Sequence, residues 1–213
     1  MQSLIERIQE KRQDKETKIQ IQTRLQEFQT FKDRSTEDWF EELCFCILAA
    51  NAKSQTSWNI QKELQYKGFM NKTEEEIAQI ILKNKHRFHN NKAKYIREAR
   101  LYKEIKQIVN NLLKEVGEQG AREWLVRNIK GFGYKEASHF LRNTGSKNLA
   151  IIDRHVLSLL EEHNCIKEKP RTMTRNEYKN IETILEKITK ELKMTQAELD
   201  LYLWNLKTNK VLK

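Results

Sequence analysis

In IKGFGYKEASHFLRNTGSKNLAIID, residues 129–153, a lysine and an aspartate each stand where a helix is predicted to begin. Lys135 falls in the first turn of YKEASHFLRNT, a helical segment that Gly145 ends at the C′ position. A cation in a first turn opposes the helix dipole, so the placement is poor for stability alone. The positive helix end instead favours the neutral amine, which is what a Schiff-base nucleophile requires. Asp153 follows four apolar residues and opens the next helix. Its simplest role is an N-cap. Taken singly, Lys135 reads as a phosphate contact and Asp153 as a cap. Taken together they form a lysine nucleophile with a nearby carboxylate.

Other elements must present these groups. AREWLVRNI reads as a helix with Trp124, Leu125 and Ile129 inward, and Lys130-Gly131-Phe132-Gly133 joins it to the lysine-bearing helix. Gly131 and Gly133 permit backbone angles closed to other residues, and Phe132 between them can plug the gap between the helices. So tight a turn leaves the first N–H groups of the second helix unpaired. Those donors and the positive helix end can hold a phosphate. The expected unit is a helix–hairpin–helix, a clamp on a nucleic-acid backbone that reads no sequence.

The rest of the chain is helical in pattern. STEDWFEELCFCILAA opens on Ser35 with Asp38 near the capping-box position, and its second half, apolar all round, predicts a buried central helix. NKTEEEIAQIILKN starts at Asn71 or Thr73, with acids in its first turn. IETILEKITKEL puts Ile181, Ile184, Leu185, Ile188 and Leu192 on one stripe, and DLYLWNLK is the expected last helix. FHNNKAKYIREARLYKEIKQIVNNLL predicts one long helix. Residues 83–103 hold eight Lys or Arg and one acid, Glu98, interleaved with His86, Phe88, His89 and Tyr95. Basic and aromatic residues so mixed suit a nucleic-acid surface better than a plain solvated face. Pro170, the single proline, is a candidate lobe boundary.

Composition agrees with an all-α chain. One proline and six glycines in 213 residues leave little turn chemistry for a sheet. The net charge of +10 makes nucleic acid the first candidate partner and an anionic membrane the second. No apolar run approaches the ~18 residues of a membrane span. The opening MQSLIERIQEKRQDKE is too charged for a signal peptide, so an intracellular protein is expected. Cys44, Cys46 and Cys165 lack zinc-like spacing and are too few for a four-cysteine iron–sulfur loop, so they read as buried thiols and no metal is expected.

IKGFGYKEASHFLRNTG…LAIIDRHVL closely resembles the HhH-GPD superfamily of DNA glycosylases. In detail it resembles the compact second Ogg family of 8-oxoguanine DNA glycosylase/AP lyases. EDWFEELCFCILAAN, HRFHNNKAKYIREAR and ELDLYLWNLKTNKVLK extend the likeness over most of the chain. AKSQTSWNIQ after Asn51 departs from the more glycine-rich turn expected there. The resemblance implies an all-α fold of two helical lobes with a DNA- and base-binding cleft between them. One lobe would be 1–38 plus 146–213 and the other 39–145, the hairpin unit spanning about 121–145.

It also implies a bifunctional enzyme. Lys135 would attack C1′ of a flipped nucleotide and displace its base, and the Schiff base would then permit β-elimination 3′ to the lesion. Asp153 would stabilise the oxocarbenium-like charge and help keep Lys135 deprotonated, with His155 supporting it. Phe88 and Trp204 match positions that stack on the flipped base, and Asn51 matches one that fills the vacated stack. Gly131 and Gly133 would hold backbone phosphate. Lys213 and its terminal carboxylate would meet the polar edge of the base. No cofactor is implied. The implied partner is double-stranded DNA containing 8-oxoguanine, bound by a monomer in the cytoplasm or on the nucleoid, with no membrane. Two other readings stay open. One is a superfamily glycosylase for alkylated bases, oxidised pyrimidines or mismatched adenine, against which Lys135 and the missing iron–sulfur cysteines argue. The other is a non-enzymatic DNA-binding helical module, which would not need Lys135 and Asp153 together.

Overall fold

The structure, a computed structural model, describes residues 1–211 apart from the side chain of Ser54. These residues form eleven α-helices and one 3-10 turn, and no strand occurs among them. The chain divides into two compact units. Asp33–Phe140 forms one, and Met1–Lys32 with the chain from Leu141 onward forms the other. The sequence reading set the breaks after residues 38 and 145. Pro170 lies inside the second of these units, in the connection that follows Glu162, and marks no boundary.

The unit made by Asp33–Phe140 is built on α3 (Thr36–Ala49). Its capping box is complete: Ser35 accepts from the Asp38 N–H, and Asp38 accepts from the Ser35 N–H. Of the ten positions 39–48 eight are apolar, and Trp39, Phe40, Leu43, Cys44, Phe45, Cys46, Ile47 and Leu48 are all buried. A helix buried on every side is central by necessity. It packs against α4 (Ser54–Asn71), α6 (His89–Ala99) and α7 (Ile105–Asn128), while α5 (Glu74–Lys83) packs on α6. Thr73, rather than Asn71, caps α5 in a second capping box with Glu76. The long helix expected from Phe88 to Leu113 is interrupted by a 3-10 turn at Arg100–Tyr102. There Arg100 donates to the Phe69 and Lys72 carbonyls at the end of α4, at 2.8 and 2.5 Å. α7 is itself broken at Gly117, whose φ is 68°.

The other unit holds α1 (Gln2–Gln13), α2 (Lys15–Phe31), α9 (Arg154–Glu162), α10 (Arg175–Leu192) and α11 (Gln196–Thr208). α8 (Tyr134–Asn143) runs through the break between the units. It ends in a Schellman motif: Ser146 N–H donates to Leu141 O and Gly145 N–H to Arg142 O, with Gly145 at φ 111°. Arg142, nearly buried, pairs with Asp200 of α11 at 2.9 Å and lies over the Phe28 ring of α2.

The segment Leu149–Ile152 is buried and belongs to no helix or strand, so no regular element pairs its backbone. α10 supplies the partners. Glu182 accepts from the Ala150 N–H at 3.1 Å. The Tyr178 hydroxyl donates to the Ala150 carbonyl at 2.7 Å and accepts from the Ile152 N–H at 3.2 Å. This buried ladder leads directly into Asp153. Tyr178→Phe therefore strips a buried donor and a buried acceptor of their partner and is expected to cost about 2–4 kcal/mol, measured by urea unfolding. A loss below about 0.5 kcal/mol would show that the hydroxyl is replaceable.

Candidate active site

The hairpin between α7 and α8 is closed by Ile129 N–H to Leu125 O, Phe132 N–H to Ile129 O and Ala137 N–H to Gly133 O. Phe132 is buried and tilts against Phe140. Gly131 adopts φ 86°, and a Cβ there would lie 2.6 Å from Cδ2 of Tyr95. Both conformation and space demand glycine. Gly133 differs from expectation, since its φ is not in the left-handed region. A Cβ on it would meet the end of the Glu136 side chain at 3.2 Å. The reason is Glu136 itself, which accepts from the Gly133 N–H at 3.1 Å and so closes the start of α8. That first donor, expected to be unpaired, is taken by a carboxylate.

Lys135 follows in the first turn of α8, with Nζ 3.3 Å from Glu136 Oε1 and a side chain 31% exposed. Arg122, buried in α7, donates to Ser138 at 3.3 Å and lies over the Tyr134 ring, tying the two helices of the hairpin together. In the same unit a cavity of about 260 Å³ is lined by Ala50, Asn51, Phe88, Asn91, Lys92, Tyr95 and Gly131. Three sequence-predicted residues, Asn51, Phe88 and Gly131, thus share one wall system. Asn51 is exposed, two residues past the end of α3, at φ 62°. Lys92 is buried, and its Nζ donates to the Ile47 carbonyl at 2.6 Å. Burial lowers its pKa to about 8, Glu136 opposing and Lys135 adding to the shift.

Asp153 and Trp204 belong to the other unit. Asp153 caps α9, its Oδ1 accepting from the N–H groups of His155 at 2.8 Å and Val156 at 2.9 Å. The His155 ring meets the Trp204 ring edge-on, with centroids 5.1 Å apart. One residue therefore touches both the carboxylate and the indole. Lys213 lies outside the described residues.

A family model described as 8-oxoguanine DNA glycosylase matches residues 21–194. The chain belongs to the 8-oxoguanine DNA glycosylase family. It is 50% identical over 210 residues to the 8-oxoguanine DNA glycosylase/AP lyase of Methanocaldococcus jannaschii, covering 99% of each chain. It is 40% identical over 208 residues to that of Thermotoga maritima, covering 97% of this chain and 96% of the relative. A crystal structure of the M. jannaschii 8-oxoguanine glycosylase/lyase with a 15mer DNA containing 8-oxoguanine superposes with a TM-score of 0.93 at 48% identity, over 99% of this chain and 100% of that one.

Against this family background, Glu136, Lys92 and the α10 pair Tyr178 and Glu182 are the site-shaping residues that sequence reasoning did not single out. Glu136 was findable, since an acid three residues after Gly133 has capping-box spacing. Lys92 shares the helical phase of the buried Ile96 and Ala99, a signal that a lysine faces inward. The glycine geometry makes a prediction. Gly131→Ala combines a left-handed backbone with a clash on Tyr95 and is expected to destabilise by about 3 kcal/mol. Gly133→Ala needs a shift of the Glu136 tip alone and is expected to stay within about 1 kcal/mol. Thermal unfolding of the two variants checks the order, and equal losses would refute it.

Proposed function

We propose that this chain is an 8-oxoguanine DNA glycosylase/AP lyase, acting within the cell on double-stranded DNA in the cytoplasm or on the nucleoid. One observation carries the reading: a member of this family presents an accessible lysine amine, Lys135, in the first turn behind a tight hairpin. To act, that amine must leave the Glu136 ion pair and give up a proton. Its lone pair then forms a bond to C1′ of the lesion nucleotide. The glycosidic C1′–N bond breaks, and its electrons depart with the base, which takes up a proton. Opening of the sugar ring gives an imine between Nζ and C1′. Loss of a C2′ proton expels the 3′ phosphate and cuts the strand.

Asp153 is assigned to the positive charge that develops at C1′. A carboxylate whose Oδ1 is held by two N–H groups is pre-oriented for that work and needs no reorganisation during the reaction. Phe88 and Trp204 are assigned to the faces of the base, Lys213 to its polar edge, and Asn51 to the gap the base leaves in the stack. Gly131 and Gly133 are assigned to the DNA backbone, where the hairpin holds phosphate without reading sequence. With a net charge of +10, the chain has ample attraction for that backbone.

Borohydride trapping on an 8-oxoguanine duplex tests the reading, because reduction fixes the imine as a stable amine. Lys135→Gln should abolish both excision and the trapped adduct while leaving duplex binding nearly unchanged, as one charge among 40 basic residues. Lys92→Met should still give an adduct. The reverse pattern would move the nucleophile to Lys92, and the absence of any wild-type adduct would leave a DNA-binding module. Asp153→Asn keeps a good N-cap but loses the charge, and its single-turnover rate should fall by on the order of 10² or more. A normal rate would reduce Asp153 to a cap.

A further inference from the structure

His86 is 2% exposed and joins two elements of the unit that carries the cavity. Its Nε2 lies 3.0 Å from the Leu48 carbonyl oxygen in the last turn of α3. Its Nδ1 lies 3.2 Å from the backbone nitrogen of Phe88, the N-cap residue of α6. These partners fix the ring proton. A carbonyl oxygen only accepts, so Nε2 carries the hydrogen and donates. A backbone N–H only donates, so Nδ1 is bare and accepts. Both bonds exist together only for the neutral Nε2–H tautomer. A second proton on Nδ1 would face the Phe88 N–H and break that bond.

The contacts continue past the two hydrogen bonds. The His86 ring meets the Phe88 ring edge-on at 6.5 Å, and the Arg87 guanidinium lies 4.4 Å from the Phe88 ring centroid. Lys92, one turn into α6, satisfies Ile47 O beside Leu48 O. These are carbonyls that the end of α3 leaves without helical partners. The end of α3 and the start of α6 are thus sewn together by two side chains, and both ends line the cavity, through Ala50 and Asn51 on one side and Phe88 and Lys92 on the other.

We propose that His86 is a positioning residue for Phe88: as a neutral ring it ties the start of α6 to the end of α3 and so fixes the aromatic wall that receives the lesion base. This rests on the assignment of Phe88 to the base. Burial chiefly, then the charges of Lys92 and His89 on α6, hold the pKa of His86 below the ordinary histidine value, while the Leu48 carbonyl of α3 opposes them. With a lowered folded-state pKa, the arrangement is intact above the ordinary value and is lost as pH falls through the folded one.

Two measurements test this. Imidazole 15N shifts of the labelled free protein at neutral pH should report the Nε2–H tautomer for His86. The Nδ1–H tautomer or a charged ring would overturn the proposal without reference to activity. Single-turnover excision is then followed on an 8-oxoguanine duplex and on an abasic duplex, from about pH 5 to about pH 8. His86→Leu should slow 8-oxoguanine excision by on the order of 10-fold at neutral pH and abasic cleavage by less than about 3-fold. His86→Gln offers an N–H to Leu48 and an oxygen to Phe88. It should recover excision to within about 3-fold and lose the acid fall of the wild type. Equal losses on both substrates, or an unchanged acid fall in His86→Gln, would refute the role. A wild type that excises nothing would instead refute the glycosylase reading, with the tautomer still deciding the state of His86.

Discussion

Tyr95 occupies the space that a side chain at position 131 would need. A Cβ on Gly131 would stand 2.6 Å from the ring, and the backbone there runs at φ 86°. Much of the unit around the cavity follows from this contact. The hairpin can lie against α6 only because nothing projects from its turn. With the hairpin seated, Phe132 fills the space towards Phe140, Ile129 is buried, and Lys135 emerges on the first turn of α8. α6 in turn is tied to the end of α3 by His86 and Lys92. A missing methyl group is thus what allows three elements to share the walls of one cavity.

A second regularity is that the candidate groups sit at helix ends. The end of α3 is met by His86 and Lys92, the start of α8 by Glu136, and the start of α9 by Asp153. A helix end carries unsatisfied backbone groups, and burying one without a partner costs about 1–3 kcal/mol, more than a typical hydrogen bond contributes net. The folded chain therefore has strong reason to hold polar side chains at these places, and they are held in definite orientations. The same logic reaches the buried segment before Asp153, where Tyr178 and Glu182 supply the backbone's partners.

What could be read from the sequence was what local spacing controls. The box at Ser35, the acids in the first turn of α5, the Gly145 terminus, the all-round apolar α3 and the Asp153 cap each depend on residues within a few positions of one another. The pieces that escaped depend on residues far apart in the chain. The turn at Arg100 is bonded to carbonyls of α4, the partners of Leu149–Ile152 come from α10, and the inward face of Lys92 is meaningful only once Ile47 is beside it. Gly133 failed for a different reason. Its spacing suggested a special backbone, but Glu136 closes the helix start with an ordinary one.

The two lysines of this unit show why position outranks basicity where a nucleophile is proposed. Burial brings Lys92 down to about 8, the easier of tasks for a neutral amine, yet its Nζ is spent on a carbonyl at 2.6 Å and the residue is 4% exposed. Lys135 keeps a third of its side chain in solvent, 3.3 Å from the Glu136 carboxylate. Reach must come before proton affinity, since an amine that cannot touch C1′ gains nothing from being neutral. For Lys92 the charge of Lys135 acts in the same direction as burial, and Glu136 opposes both.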